Sequence, residues 1–110
     1  MTLIRSELIG FGHYLPAKVL TNDDMAKMVE TNDEWISTRT GIKSRHVAAE
    51  NEFTSDISLI AARNALKSAN ISAEDLDLII VATVTTDDTT PSTAAKISGK
   101  LGTKPGCIAT

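Results

Sequence analysis

The stretch Leu78-Ile79-Ile80-Val81-Ala82-Thr83-Val84 is nearly all aliphatic, and it decides the fold class. It is much shorter than the roughly 20 apolar residues that cross a bilayer, and its β-branched side chains favour a strand. We extend the predicted strand to residues 76–84. A nearly continuous aliphatic strand is typical of a parallel sheet that is covered on both faces.

An amphipathic helix is predicted before this strand. Thr54 or Ser55 can cap its N-terminus, and it ends near Asn70. Its apolar residues recur with helical spacing along one stripe, namely Ile57, Ile60, Ala61, Ala65 and Leu66. This stripe makes it the strongest helix signal in the chain.

A second helix and a second strand follow the aliphatic stretch. Residues 85–90 form a polar loop, Pro91 suits the first turn of a helix, and Gly102 ends that helix. Residues 107–109 begin another strand, and the order strand, helix, strand predicts a right-handed crossover in an α/β sheet. Because that strand has barely begun, we expect the chain to be the front part of a larger protein.

Shorter elements are predicted in the first part of the chain. Residues 3–11 form a strand that ends in a tight turn at Gly10-Phe11-Gly12. Thr21 or Asn22 caps a short helix that runs through Val29.

A further helix and strand follow directly. Thr31 and Glu34 have the spacing of a capping box, which opens a helix that ends at Gly41. Residues 42–47 alternate apolar and polar side chains and so predict a strand. Residues 48–53 form a polar loop.

The composition is that of a globular protein. Eleven basic and fourteen acidic residues give a net charge of −3, which argues against general nucleic-acid binding. The single cysteine excludes an intrachain disulfide and a multi-cysteine zinc site. No signal peptide and no membrane-spanning run is recognisable, so we expect a soluble protein of the cytoplasm.

Several residues of types that could bind a cofactor or a metal ion are better explained by a structural role. Gly10-x-Gly12 lacks the third glycine and the following helix of a dinucleotide site, so a strand-ending turn is favoured. His13 and His46 have no second ligand at helical spacing. Asp87-Asp88 is more typical of a solvated loop than of a cation site, and we predict no metal.

Cys107 is the only thiol of the chain. A nucleophilic cysteine needs a helix N-terminus or a histidine that lowers its pKa, and Cys107 instead begins an apolar strand. We interpret it as a small buried hydrophobic residue, with a nucleophile as the minor alternative.

Residues 31–46 carry the most informative pattern. Three cations and no acid lie between Arg39 and His46. Trp35 offers a flat surface for a base and Arg39 a bidentate donor for phosphate, which suits a nucleotide-bearing cofactor with anionic groups. A core tryptophan beside a solvated basic face is the competing interpretation, and the residues alone leave both open.

The same segment contains motifs with a specific resemblance, namely Asp33-Glu34-Trp35-Ile36, Thr38-Arg39-Thr40-Gly41-Ile42 and Arg45-His46. Further matches in order and spacing are Ile9-Gly10, Tyr14-Leu15-Pro16, Thr21-Asn22-Asp23, Leu78-Ile79-Ile80-Val81-Ala82-Thr83, Pro91-Ser92 and Leu101-Gly102. Together they closely resemble β-ketoacyl-acyl-carrier-protein synthase III, and the resemblance covers essentially the whole chain.

This resemblance implies a thiolase-like α/β fold, with a mostly parallel mixed sheet and flanking helices. Residues 1–110 would form the N-terminal portion of the first of two similar halves. The activity implied is that of a condensing acyltransferase that initiates type II fatty acid synthesis. Such an enzyme joins acyl-CoA to malonyl-acyl carrier protein by decarboxylative Claisen condensation and works as a homodimer.

The resemblance also assigns expected roles to four residues. Trp35 corresponds to the residue that stacks on the CoA adenine, and Thr31 and Arg39 correspond to its neighbours on the base and the phosphates. Thr90 stands where several relatives carry an aromatic residue that lines the acyl pocket, so we expect room for primers longer than acetyl. CoA thioester enters as a substrate, and no permanently bound cofactor is implied.

The family's catalytic Cys, His and Asn have no counterpart in the chain. The nucleophile would fall a few residues after Thr110, and Cys107 lies in a different setting. We therefore expect the 110 residues alone to be inactive. The alternatives are a non-catalytic CoA-binding or dimerisation module, and a thiolase-like condensing enzyme of secondary metabolism.

Overall fold

The computed structural model describes residues 1–110 and divides them into two units. Unit 1 combines Met1–Tyr14 with Phe53–Thr110, and unit 2 is Leu15–Glu52. Each unit contains its own two-stranded sheet. None of the helices has the length and apolar character that crossing a bilayer requires.

Unit 2 is built on an antiparallel strand pair. Strand β1 (Lys18–Thr21) pairs with strand β2 (Ser44–Val47), and β2 confirms the C-terminal part of the strand predicted over residues 42–47. Two helices lie between these strands in the sequence, α1 (Asn22–Ala26) and α2 (Asp33–Thr40).

Helix α1 begins at a predicted cap. Thr21 Oγ1 accepts a hydrogen bond from Asp24 N at 3.2 Å, and Asp24 Oδ2 accepts one from Thr21 N at 2.9 Å, which completes a capping box. The hydrogen bonds from Thr21, followed by the contact with Lys27, lower the pKa of Asp24 to about 2. The helix ends at Ala26, earlier than the predicted end at Val29.

Helix α2 has a different cap from the one predicted. Asn32 is the N-cap, and its Oδ1 accepts a hydrogen bond from Trp35 N at 2.7 Å. The predicted cap at Thr31 is therefore wrong, because the longer asparagine side chain next to it reaches the free N–H groups of the first turn. Gly41 ends the helix as predicted, with a φ of 71°.

The long predicted helix lies in unit 1. Helix α3 spans Thr54–Ala69, so Thr54 and Ser55 occupy its first turn and are not the N-cap. Phe53 holds that position, and Asp56 Oδ2 accepts a hydrogen bond from its N–H at 3.0 Å. Helix α3 thus begins one residue earlier than predicted, because the side chain of Asp56, inside the helix, accepts the hydrogen bond of the Phe53 N–H.

The second predicted helix of unit 1 is also present. Helix α4 spans Thr93–Leu101, and Ser92 Oγ accepts a hydrogen bond from the N–H of the third helical residue at 3.1 Å. Pro91 precedes this cap, so the prediction that it lies in the first turn is wrong. The predicted helix ends at Asn70 and Gly102 are confirmed, with φ values of 55° and 74°.

Helix α4 connects two parallel strands, as predicted. Strand β3 (Leu78–Ile79) pairs with strand β4 (Ile108–Ala109), and a short 3-10 helix (Ala73–Asp75) precedes β3. The parallel pairing confirms the α/β class of this half of the chain. The right-handed crossover stays a prediction.

The aliphatic strand is shorter and more exposed than predicted. The expectation was a strand over residues 76–84 with both faces covered, but only Leu78–Ile79 are assigned to it. Ile80 is 70% exposed and Val84 fully exposed. Backbone hydrogen bonds continue slightly past the assigned strands, from Thr110 N to the Ile79 carbonyl at 3.0 Å and from Val81 N to the Thr110 carbonyl at 2.8 Å. The aliphatic run beyond Val81 has no strand beside it.

The N-terminal segment corrects two further expectations. Residues 3–11 form no strand, because no other strand pairs with them. The predicted turn at Gly10-Phe11-Gly12 is absent, since the backbone forms neither a turn nor a bend there. Gly10 and Gly12 lie directly on α3, where a Cβ at Gly12 would be 2.2 Å from Ala65 N and one at Gly10 would be 2.7 Å from Ala69 Cβ. Glycine is required here for close approach to a helix.

Candidate functional site

Helix α2 presents Trp35 and Arg39 together at its surface. Their spacing of four residues places the two side chains on one helical face, and Arg39 Cζ lies 4.4 Å from the centroid of the Trp35 ring. This is the geometry of a cation–π contact. Trp35 is 52% exposed, so the interpretation of a core tryptophan is wrong, and part of the residue's surface remains accessible beside the guanidinium.

The other cations of the basic segment are engaged within unit 2. Lys43 Nζ donates a hydrogen bond to Ser37 Oγ at 3.0 Å and lies 3.9 Å from Asp33 Oδ2. Arg45 Nη1 donates a hydrogen bond to the Leu20 carbonyl at 3.1 Å. Arg45 therefore braces the strand pair β1–β2.

Arg39 is left as the cation with no anionic or carbonyl partner in this segment. Its guanidinium makes the contact with Trp35 but no hydrogen bond or ion pair. His46 is also engaged, since its Nδ1 lies 2.6 Å from the Pro16 carbonyl. The three-cation patch that the sequence indicates thus reduces to one guanidinium that is free to bind an anion.

Thr31 occupies the position before the N-cap of α2. Thr31 as a whole is half-buried, and its side-chain oxygen Oγ1 is buried without a hydrogen-bond partner. A buried hydroxyl without a partner is unfavourable in a folded chain. It is the only buried side-chain polar atom of the chain in this condition.

Asn22 is a residue of this region whose importance the sequence did not indicate. It is 2% exposed, and its Nδ2 donates hydrogen bonds to Asp33 Oδ1 at 2.7 Å and to the Ile42 carbonyl at 2.8 Å. Its Oδ1 accepts a hydrogen bond from Arg45 Nη2 at 2.7 Å. The sequence predicts Asn22 only as a possible cap, because burial and partners distant in sequence leave no local pattern.

These contacts also set the charge state of the α2 N-terminus. The hydrogen bond from Asn22, followed by the one from Ser37, lowers the pKa of Asp33 below its ordinary value. Asp33 lies in the first turn of α2, where the helix dipole also favours a negative charge. The carboxylate is therefore stabilised as the acceptor of the Asn22 amide.

A second region of interest lies in unit 1, where β3 and β4 end. A cavity of about 330 Å³ opens there, and hydroxyl-bearing residues dominate its lining: Val81, Thr83, Thr86, Asp88, Thr89, Ser92, Thr93, Ala94 and Thr110. Ligands of α/β proteins commonly bind beyond the carboxyl ends of parallel strands. Thr90 is exposed in the loop beside this cavity but does not line it.

The loop that carries Thr90 is fastened by Asp87. Its Oδ1 accepts a hydrogen bond from Ser55 N at 2.9 Å, and its Oδ2 lies 3.7 Å from Lys96 Nζ, which also contacts Asp88. Burial raises the pKa of Asp87, but the hydrogen bonds from Ser55 and the charge of Lys96 outweigh it and lower the pKa overall. The predicted solvated acidic loop is thus wrong for Asp87, whose side chain is 6% exposed and ion-paired.

Cys107 lies just before strand β4. Cys107 was predicted to be buried, but it is only half-buried. Its Sγ makes a long contact of 3.8 Å with the Ile108 carbonyl. The chain contains no group of three His, Cys, Asp or Glu side chains that could hold a metal ion.

Comparison with known proteins gives a consistent relationship. No protein-family model matches the chain. It is 57% identical over 102 residues to the β-ketoacyl-[acyl-carrier-protein] synthase III of Hyphomonas neptunium, a match that covers 93% of this chain and 32% of that protein. The chain spans about a third of the length of the curated relatives it matches.

Solved structures show the same relationship in three dimensions. The 3-oxoacyl-[acyl-carrier-protein] synthase III of Aquifex aeolicus superposes with a TM-score of 0.84 at 50% identity, over 92% of this chain and 32% of that one. The priming β-ketosynthase of the R1128 polyketide biosynthetic pathway gives a TM-score of 0.80 at 34% identity, over 86% of this chain and 28% of that one.

Proposed function

We propose that this chain, a homologue of β-ketoacyl-acyl-carrier-protein synthase III with the fold of part of a thiolase-like enzyme, is a portion of a condensing acyltransferase. Sequence identity of 50–57% to synthases of this type supports the proposal. The proposed reaction condenses an acyl-CoA with malonyl-acyl carrier protein at the start of fatty acid synthesis. We also propose that the protein is located in the cytoplasm and works as a homodimer.

Within that reaction, the proposed role of this chain is to bind the nucleotide end of CoA. Trp35 would stack on the adenine, Arg39 would bind phosphate, and Thr31 would lie beside the base. The observation that carries the proposal is the exposed Trp35–Arg39 pair, in which the guanidinium has no anion of its own. An aromatic ring next to an unpaired guanidinium is complementary to a base that carries phosphates.

Trp35 supplies its own test, because it is the only tryptophan of the chain. We expect CoA to quench its fluorescence in a saturable way, since stacking of adenine on the ring changes the environment of the fluorophore. Arg39→Ala is expected to weaken CoA binding about tenfold, because it removes a charge-assisted contact to phosphate. CoA that lacks its 3′-phosphate shows whether this phosphate is the one that Arg39 binds.

Arg63→Ala is the matched control. Arg63 lies in α3, and its guanidinium makes only a 3.5 Å contact with the Lys100 carbonyl. Loss of this arginine should leave the dissociation constant of CoA unchanged. Absence of quenching, or an equal effect of the two substitutions, would contradict the proposed site.

The covalent steps are proposed to need residues outside this chain. The acyl-accepting cysteine, with its histidine and asparagine, has no counterpart among the 110 residues, and Cys107 is not assigned that role. Intact-mass measurement after incubation with acyl-CoA should therefore detect no acylated chain. Acylation of Cys107 would overturn this part of the proposal.

The polyketide priming synthase represents a second candidate function, a condensing enzyme of secondary metabolism. Its identity to this chain is 34%, against 50% for the Aquifex enzyme and 57% for the Hyphomonas enzyme. The difference favours fatty acid synthesis. A binding module without catalysis would give the same CoA titration. It would differ from a condensing enzyme because the full-length protein would then form no product from acyl-CoA and malonyl-acyl carrier protein.

A further inference from the structure

Helix α2 is held in place without an apolar core. It contains no buried residue, and the buried residues of unit 2 are Pro16 and Asn22. Ile36 is half-buried and is the one apolar side chain of α2 that is not exposed, so packing of apolar side chains, which orients most helices in proteins, is limited here. Polar contacts supply a large part of the constraint.

Asn22 concentrates these polar contacts at one side chain. Its amide N–H groups bind both ends of α2: Asp33 in the first turn, and the Ile42 carbonyl just past the C-cap. A weaker contact of 3.4 Å reaches Ser37 in the middle of the helix. The remaining atom, Oδ1, binds Arg45 of strand β2.

The backbone of Asn22 reinforces this connection. Its N–H donates a hydrogen bond to the Lys43 carbonyl at 3.2 Å, so main chain and side chain both attach to the segment after α2. The side chain is 2% exposed, and water cannot readily replace its partners. The hub defined by Asn22, Asp33, Ile42 and Arg45 thus joins α1, α2 and β2.

We propose that Asn22 is the positioning residue of the CoA-binding helix, and that it orients α2 so that Trp35 and Arg39 face the nucleotide. Asn22 has no role as a ligand contact in this proposal. It also occupies the guanidinium of Arg45, which keeps Arg39 as the phosphate-binding cation. The inference rests on the proposed function of the Trp35–Arg39 pair.

The test compares CoA affinity in four forms of the 110-residue chain: wild type, Asn22→Ala, Ser37→Ala and Asn64→Ala. Far-UV circular dichroism first establishes a temperature at which each form is folded. Asn64 provides the matched control, since its Nδ2 also binds a backbone carbonyl, that of His13 at 3.1 Å, but in unit 1. Trp35 emission and its quenching by acrylamide report directly on the exposure of the ring.

We expect Asn22→Ala to weaken CoA binding about tenfold, the size of a strong coupling between neighbouring groups, while Asn64→Ala leaves it unchanged. Trp35 should become more accessible to acrylamide in the Asn22 variant. Ser37→Ala removes a weaker hydrogen-bond partner of Asn22 and a partner of Asp33, so it should change both readouts in the same direction by a smaller factor. It decides the matter if Asn22→Ala fails to fold.

The outcomes separate this inference from the proposed function. A folded Asn22→Ala chain with wild-type CoA affinity and unchanged Trp35 quenching would show that Asn22 serves stability alone, and would overturn the inference while the CoA site stands. If Asn22→Ala does not fold, wild-type affinity in Ser37→Ala overturns it. Wild-type chain that binds no CoA would overturn both.

Discussion

Unit 1 and unit 2 hold their helices by different means. In unit 1, α4 buries Ala94 and Ile97 to 2% exposure each, and α3 accepts the backbone at Gly12 in direct contact. In unit 2, the most buried side chain is that of Asn22, and α2 buries none. Close packing of small and apolar groups fixes α3 and α4 in unit 1. The polar hub around Asn22 fixes α2 in unit 2.

The difference matters for what each unit can present to a ligand. A helix without a buried face can expose both an aromatic ring and a guanidinium, as α2 does with Trp35 and Arg39. A helix packed by its apolar face exposes mainly its polar face. Unit 1 accordingly offers a cavity beyond the ends of its strands, and unit 2 offers a helix surface.

The largest effect is expected at the apolar core of unit 1. Ile97→Ala should lower the free energy of unfolding by about 3 kcal/mol, because it removes buried methyl groups and leaves a cavity. Urea denaturation followed by circular dichroism measures the loss. Ile108→Ala, at a residue 63% exposed, is the control and should change little. Equal losses for the two would contradict the assignment of the core.

A somewhat smaller loss is expected where the N-terminal segment meets α3. Gly12→Ala should lower the free energy of unfolding by about 2 kcal/mol, since the new Cβ meets backbone atoms that cannot move aside cheaply. The matched control is Gly99→Ala within α4, where a Cβ meets no atom within 4 Å. That substitution should stabilise the chain by up to about 1 kcal/mol, because alanine favours a helix. A destabilised Gly99 variant would count against this account.

The third prediction concerns Thr90, in the loop of unit 1 that precedes α4. Thr90→Phe in the full-length synthase proposed above should shift preference toward acetyl primers about tenfold over longer ones, since a bulky ring at the expected wall of the acyl pocket would shorten it. The ratio of kcat/KM values for acetyl-CoA and a longer acyl-CoA measures this. Affinity for free CoA, which the proposed function assigns to unit 2, should not change. An unaltered chain-length ratio would remove Thr90 from the proposed pocket.

The smallest effect is expected in the pH dependence of unit 2. The pKa of Asp24 is about 2 in the folded chain, against an ordinary value of 3.8, so its carboxylate stabilises the fold above pH 3.8. This contribution should be lost as the pH falls from 3.8 to about 2. Denaturation of wild type and Asp24→Asn over this range should show the difference between them disappear. A difference that persists at the lowest pH would contradict the capping box.

Much of the local structure was predictable from the sequence. Gly41, Asn70 and Gly102 end helices where the pattern indicates, because a left-handed residue stops a helix whatever surrounds it. The run of motifs around Trp35 pointed to the same kind of protein that the comparisons found, since its residue types and spacing are specific. Errors at the N-termini stayed within one or two residues, and the one at α2 arose because the neighbours Thr31 and Asn32 could both cap the helix.

The sequence by itself determined the order of helices, the parallel βαβ unit and the candidate pair Trp35 and Arg39, because residue types and their spacing within short stretches indicate each of them. Only the tertiary structure decided which cation is free, why Gly12 is glycine, and that Asn22 is a buried hub. Those features depend on partners more than 20 positions away in the chain, such as the Asn22–Arg45 and Gly12–Ala65 pairs. No local pattern records such a partner, because burial and hydrogen bonding at a distance arise only when the chain has folded.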